Sequence, residues 1–313
     1  MLLAVILIAF SNDAFGQSNW PRDFQNLGAS FFEFGAKAYD RPGDDTGTPV
    51  LTDSVNNAVI LNSGDLTDLG GGAGAEIRFG NVSKHGQQWE IRTFLTNWTD
   101  EVNLEQPNLA SPLALGLDLD TVDILYDSEI YSIEFSLKRQ ITPGITLLWG
   151  PRFLSFNEDL DFDTESNIPI PPFGTMDIDS ENSIDTRNAL LGGQFGALIN
   201  VPISRDLYIN GFIRSGGYLN FTELTSFNGT NVADPVSNSI TRNVGSFVGE
   251  VGGKVYFDAI PGSLSFFLGY EATWIDNVAL APVQAQTLTP TEIITGVTPF
   301  FHAVTFGAQY RRR

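Results

Sequence analysis

The sequence predicts an all-β fold, a closed antiparallel transmembrane β-barrel of about 10 strands, with 12 as the alternative. Three observations predict it. Ten segments alternate apolar and polar residues with period two, tight turns alternate with long connections, and the alternation sets charges on one parity against aromatic residues on the other. No window carries a convincing helical period.

A strand sends successive side chains to opposite faces, so each segment divides into two parities. In the first, about 27–38, Glu33 and Lys37 oppose Phe32, Phe34, Ala36 and Ala38. In the second, about 70–81, Glu76 and Arg78 oppose Ala75, Ile77 and Phe79. The third, about 87–98, sets Glu90 and Arg92 against Trp89, Ile91 and Leu95, and the fourth, about 129–141, sets Glu134 and Lys138 against Tyr131, Ile133, Phe135 and Leu137. The fifth, about 145–157, is apolar on both parities around Arg152. The sixth, about 187–202, opposes Gln194 and Asn200 to Phe195, Ile199 and Val201. The seventh, about 206–222, opposes Asn210 and Arg214 to Leu207, Ile209 and Ile213. The eighth, about 244–259, places Glu250 and Lys254 against Val251, Val255 and Phe257, and the ninth, about 264–280, places Glu271 against Phe266, Leu268, Tyr270 and Trp274. The tenth, about 300–311, carries Val304 and Phe306 on its apolar parity.

The connections set the direction of the strands. "VSKHG", "TPG", "ISR" and "IPG" supply the Gly, Pro and Ser of tight turns, whereas 39–69, 99–128, 158–186, 223–243 and 281–299 read as long loops. Short turns and both termini then share one side, as in an outer-membrane barrel with periplasmic turns and extracellular loops. The stretches "TDSVNNAVIL" and "LDLDTVDILY" either extend strands or add a hairpin that raises the count to 12.

Of 17 Lys and Arg and 37 Asp and Glu, seven basic and six acidic residues share the polar parity of the strands. Such near-balance suits a lumen, where a charge removed from bulk water needs a partner close by. Most remaining acids fall in the long connections, including "DRPGDDTG", "GLDLDTVD", "EDLDFDTES" and "MDIDSEN", which places the surplus negative charge in the expected extracellular loops. A soluble lipocalin-like or sandwich fold would have to enclose the aromatic parity, and a barrel interior of about eight to ten strands holds only modest side chains. A net charge of −20 repels nucleic acid.

Cysteine is absent, so the fold is expected to be held by a fully paired sheet and not by disulfides. "MLLAVILIAF" is too short to span a bilayer and is followed by Ala14-Phe15-Gly16-Gln17, which reads as a signal peptide over 1–16 and a single barrel domain over 17–313. No Lys or Arg precedes Leu2, so the leader is expected to begin further upstream.

Five blocks in order, "WGPRFLSFNEDL" (149–160), "NALLGGQFGA" (188–197), "GFIRSGGYLN" (211–220), "VGEVGGKVYF" (248–257) and "GYEATWIDNVALAPVQ" (269–284), resemble the β-barrel porin-7 family of bacterial outer-membrane proteins over about 27–313. The resemblance implies an outer-membrane barrel and no particular substrate or functional residue. The C-terminal "TFGAQYRRR" is similar to a barrel-assembly signal through Thr305, Gly307 and Tyr310, and departs from it where Arg stands in place of a terminal aromatic.

Candidate chemistry is sparse. His85 falls in a predicted turn and His302 on the apolar parity, so hydrolase constellations lack a base and no enzyme is predicted. Asp159, Asp161, Asp163 and Glu165 recur at period two, but Thr164 and Ile170 stand at the Gly and Glu positions of an EF-hand, which leaves weak candidates for loose divalent-cation binding. Gly70 to Gly72, Gly192-Gly193 and Gly216-Gly217 lack the following helix of a phosphate loop. No cofactor is predicted. The pore candidates are Glu33, Lys37, Glu76, Arg78, Glu90, Arg92, Glu134, Lys138, Arg152, Arg214, Glu250, Lys254 and Glu271. These charges are expected to line a narrow, porin-like passive channel for small polar solutes or ions; the alternative is that they interlock and close it, leaving a non-conducting surface barrel with acidic cation-binding or adhesive loops. Outer-membrane lipid, the barrel-assembly machinery and divalent cations are the expected partners, and an exported soluble binding barrel is the third reading.

Overall fold

A computed structural model describes residues 29–43, 47–82, 87–113, 119–172, 174–286 and 290–312; the expected leader and His85 lie outside the described residues. Ten antiparallel strands form a ring: β1 (Ala29–Arg41), β4 (Leu69–Val82), β5 (Gln87–Ala110), β6 (Leu119–Thr142), β7 (Ile145–Ile170), β8 (Gly174–Pro202), β9 (Leu207–Thr230), β10 (Ala233–Ile260), β11 (Leu264–Asp276) and β12 (Phe300–Arg312). β12 returns to pair with β1, Phe34 facing Ala308 and Lys37 facing Thr305, and β5 pairs with β6, so the lower ring closes on itself. Between β1 and β4 stand a short hairpin, β2 (Pro49–Asp53) and β3 (Val59–Asn62), and one helical turn, α1 (Ser63–Thr67). The hairpin joins the sheet beyond the ring, through Thr52 facing Ala110. "TDSVNNAVIL" therefore supplies the hairpin, while the end of "LDLDTVDILY" extends β6.

The long connections expected at 99–128, 158–186 and 223–243 are mostly strand. β7 runs for 26 residues, β8 for 29 and β10 for 28, whereas β1, β11 and β12 have 13 each. About ten residues of tilted strand cross a bilayer, so β5 to β10 continue far past that length as a tall curved wall.

The alternation does not stop along these strands; it inverts. In the lower part of β6, Glu134, Ser136 and Lys138 are buried inside while Ile133, Phe135 and Leu137 are exposed outside. In the upper part, Val122, Ile124 and Tyr126 are buried inside while Asp123 and Asp127 face out. β7 does the same, with Arg152 inside and Trp149 outside below, and Phe156, Leu160 and Phe162 inside with Asp159, Asp161 and Asp163 outside above. The upper wall thus has the pattern of a sheet in water, apolar within and charged without. The lower wall has the reverse. A sequence reading that assigns one parity to each strand loses the strand where the sign changes.

Register shows that the change falls along rows. Thr93, Ile133, Phe153, Leu191 and Leu219 are cross-strand neighbours on the outer face; four residues further along the wall the row is Asn97, Glu129, Asn157, Arg187 and Glu223. The upper interior is filled by an apolar core that includes Leu51, Leu66, Trp98, Tyr126, Phe156 and Phe301 together with Val278 to Ala281 of the β11–β12 connection.

Candidate functional site

Every pore candidate lies on the inner face and is buried. They interlock. Arg92 on β5 reaches Glu76 on the neighbouring β4 at 2.7 Å, Glu134 on β6 at 3.3 Å, Glu250 on β10 at 3.2 Å and Glu271 on β11 at 3.1 Å. Lys254 on β10 crosses to Glu33 at 2.6 Å and Glu76 at 2.7 Å, and Lys37 pairs with Glu76 at 2.9 Å and with Glu271. Arg78 bonds Glu33 at 3.3 Å and Glu90 at 3.2 Å, and Lys138 bonds Glu90 at 2.5 Å. Arg152 and Arg214 close the ring on Glu250 at 2.7 Å and Glu134 at 2.8 Å. Side chains in this layer are 0–9 % exposed, so the pairs fill the bore and do not merely line it. Alternation explains how it forms: eight of the ten strands offer one or two inward charges, and the register brings opposite signs to one level.

Period-two reading found the thirteen charges and set Gln194 on the polar parity without counting it among the pore residues, and it missed Tyr256. Gln194 donates to Glu134 at 2.5 Å and to Ser136 at 3.2 Å, and Tyr256 donates to Glu33 at 3.0 Å. Phe94 roofs the layer, with Lys37 Nζ 4.7 Å and the Arg92 guanidinium 5.1 Å from its ring centre. The fifth predicted strand, apolar on both parities, is resolved by Leu148, which packs inside with Leu198 and Phe212.

Above the charges lies a second buried node, also missed. Arg41 on β1 donates through Nη1 to Glu158 Oε1 on β7 at 2.6 Å and to the Tyr126 hydroxyl at 3.1 Å, with its guanidinium against Phe156 and Phe301. The second oxygen of Glu158 accepts the backbone N–H of Ala281 at 2.8 Å, at the start of the single turn α2 (Ala281–Gln284). Asn188 on β8 donates to the Ala279 carbonyl at 2.8 Å and accepts the Ala279 N–H at 3.0 Å. Arg41 and Glu158 sit in acidic stretches that read as loops. For Glu158 the signal was the continued period two beyond Phe156 with its sign reversed.

The cation candidates Asp159, Asp161, Asp163 and Glu165 share the outer face of β7. Register gives them acidic neighbours: Asp159 faces Asp127 and Asp185, and Asp163 faces Asp123 and Glu181. Burial, then the Asp185 charge, pushes the Asp159 carboxyl up to about 7, and the same causes raise Asp161. Among the described residues no group of His, Asp and Glu is arranged to hold a metal ion. His302 is on the outer face, hydrogen-bonded to Tyr270 and edge-on to Phe300. The three glycine clusters lie within β4, β8 and β9.

No family model and no curated protein matches the chain, so the porin-7 resemblance rests on the quoted blocks alone. Among solved structures, the chain is similar to the outer-membrane protease OmpT from Escherichia coli at 10% identity, over 91% of this chain and 95% of that one, with a TM-score of 0.38. It is similar to the translocator domain of the autotransporter NalP from Neisseria meningitidis at 13% identity, over 99% and 94%, with a TM-score of 0.43. The attachment invasion locus protein Ail of Yersinia pestis matches at 10% identity, over 91% and 99%, with a TM-score of 0.29.

Proposed function

We propose that the protein is a bacterial outer-membrane β-barrel, closed to ions, whose strands continue past the bilayer as an acidic wall at the cell surface. One observation carries this reading: the outer face of unbroken strands changes from Ile133, Phe135 and Leu137 to Asp123, Asp127 and Glu129 at a level shared by neighbouring strands. A boundary between hydrocarbon and water running around the ring requires such a change, and a single solvent does not. Phe306, Phe266 and Leu268, each more than half exposed, would face lipid acyl chains. The turns after β6 and β8 and the C-terminal end of β12 would face the periplasm, and export through the leader over 1–16 completes the route.

The passive channel and the closed surface barrel make opposite demands on the lumen. Pairs that span it, such as Arg92 with Glu250, support the closed barrel. Purified protein folded into planar bilayers should remain with the membrane after a urea wash and give no unitary current steps. Steady ohmic conductance would favour the channel, and release into the wash would favour the exported soluble barrel.

A further inference from the structure

The segment that closes the upper bore is held differently from the rest of the barrel. Residues 278–286 make no strand ladder; their regular structure is one isolated bridge, Val278 to Val297, and the turn α2. The inner wall grips the segment by side chains instead. Asn188 clasps both backbone groups of Ala279, and Glu158 takes the N–H of Ala281. At the start of the segment Asn277 adopts a left-handed φ of 61° and is anchored to β10 through the Gly245 carbonyl at 2.6 Å and the Ser246 hydroxyl at 3.0 Å.

The wall beside Asn188 is incompletely used. On β8 and β9 the hydroxyls of Thr186, Thr222 and Ser226 and the Asn220 Oδ1 are buried and have no hydrogen-bond partner among the described residues. A permanent dry core seldom leaves four such groups on one pair of strands. The adjoining wall of β5 to β7 is aromatic, with Trp98, Tyr126 and Phe156, the last directly beside Asn188. The segment is thus packed into the apolar core and pinned to the wall by a few side-chain bonds to backbone, and it leaves these four polar groups unsatisfied.

We infer that residues 278–286 form a strap that swings out about Asn277 and opens a chamber facing the cell exterior, with one aromatic wall and one uncharged hydrogen-bonding wall. The inference rests on the membrane reading for which way the chamber faces. Its occupants on opening are water and uncharged polar solutes able to bond Thr186, Thr222 and Asn220.

The chain has no cysteine, so a single introduced thiol reports the strap cleanly. Ala279→Cys would be compared with Leu154→Cys, a buried wall residue, in protein folded into lipid vesicles and exposed to a membrane-impermeant maleimide. Removing the clasp with Asn188→Leu, or the node with the charge-neutral pair Arg41→Met and Glu158→Met, should speed labelling at position 279 by about tenfold or more while position 154 stays protected. Unboiled gel mobility confirms that the ring remains folded. The strap is refuted if position 279 stays as unreactive as 154 in every background, or if both become reactive together with loss of folded mobility. Urea extraction of the same vesicles reports the membrane reading separately: an extractable protein defeats that reading, whereas an inserted protein with a silent position 279 defeats the strap alone.

Discussion

Arg92 on β5 and Glu250 on β10 meet across the bore, Nη1 to Oε2 at 3.2 Å, although 158 positions separate them in the chain. Both are buried, and Glu250 is also held by Arg152 at 2.7 Å. In the lower ring the bore is therefore crossed by charge pairs between opposite walls, while the β11–β12 connection fills it above.

Truncation of that hub should be severe. Arg92→Ala leaves Glu76, Glu134, Glu250 and Glu271 short of a shared cation in a buried layer, and breaking such a pair costs about 3–5 kcal/mol. Urea unfolding in vesicles, followed by tryptophan fluorescence, measures it. A loss below about 1 kcal/mol would mean that water already reaches these carboxylates.

The upper node should show the asymmetry of a buried ion pair. Glu158→Met alone strands the Arg41 guanidinium among Phe156 and Phe301 and should destabilise by about 3–5 kcal/mol. Arg41→Met together with Glu158→Met removes both charges and should recover most of that loss. The same unfolding experiment on the three proteins checks the sign of the coupling.

The fold was legible where one solvent governs one face. Glu33, Glu76 and Glu134 announce the inner parity because every outward neighbour within the belt is apolar. The upper wall was not legible under the same rule. Asp159 and Asp161 alternate with Leu160 and Phe162 as regularly as any belt residues, but with apolar side chains now inside. Acidic composition then reads as loop. Glu158 and Asn188 could not be recognised as ties to the strap, because their partners lie 123 and 91 positions away and are backbone groups.

The acidic outer wall should respond to pH. The unfolded chain releases the Asp159 proton near its ordinary value of 3.8, while the folded wall holds it to about 7. The contribution of this group is therefore fully present below about pH 4 and is lost as the pH rises toward 7. Solvent screening keeps it modest. Amide hydrogen exchange in the upper parts of β6, β7 and β8 should slow on going from pH 8 to pH 5 beyond the intrinsic chemical effect, and Asp159→Asn should remove the excess.

The inversion itself is best measured on one face of one strand. Nitroxide labels at the outward positions of β6, from Asp123 through Asp127, Glu129, Tyr131 and Ile133 to Leu137, would be read by collision with oxygen and with a water-soluble nickel chelate in lipid vesicles. Nickel should dominate at 123 to 129 and oxygen at 133 to 137, with the crossover near Tyr131. If nickel relaxes the labels at 133 and 135 as strongly as that at 127, no hydrocarbon surrounds the lower ring and the outer-membrane reading is wrong.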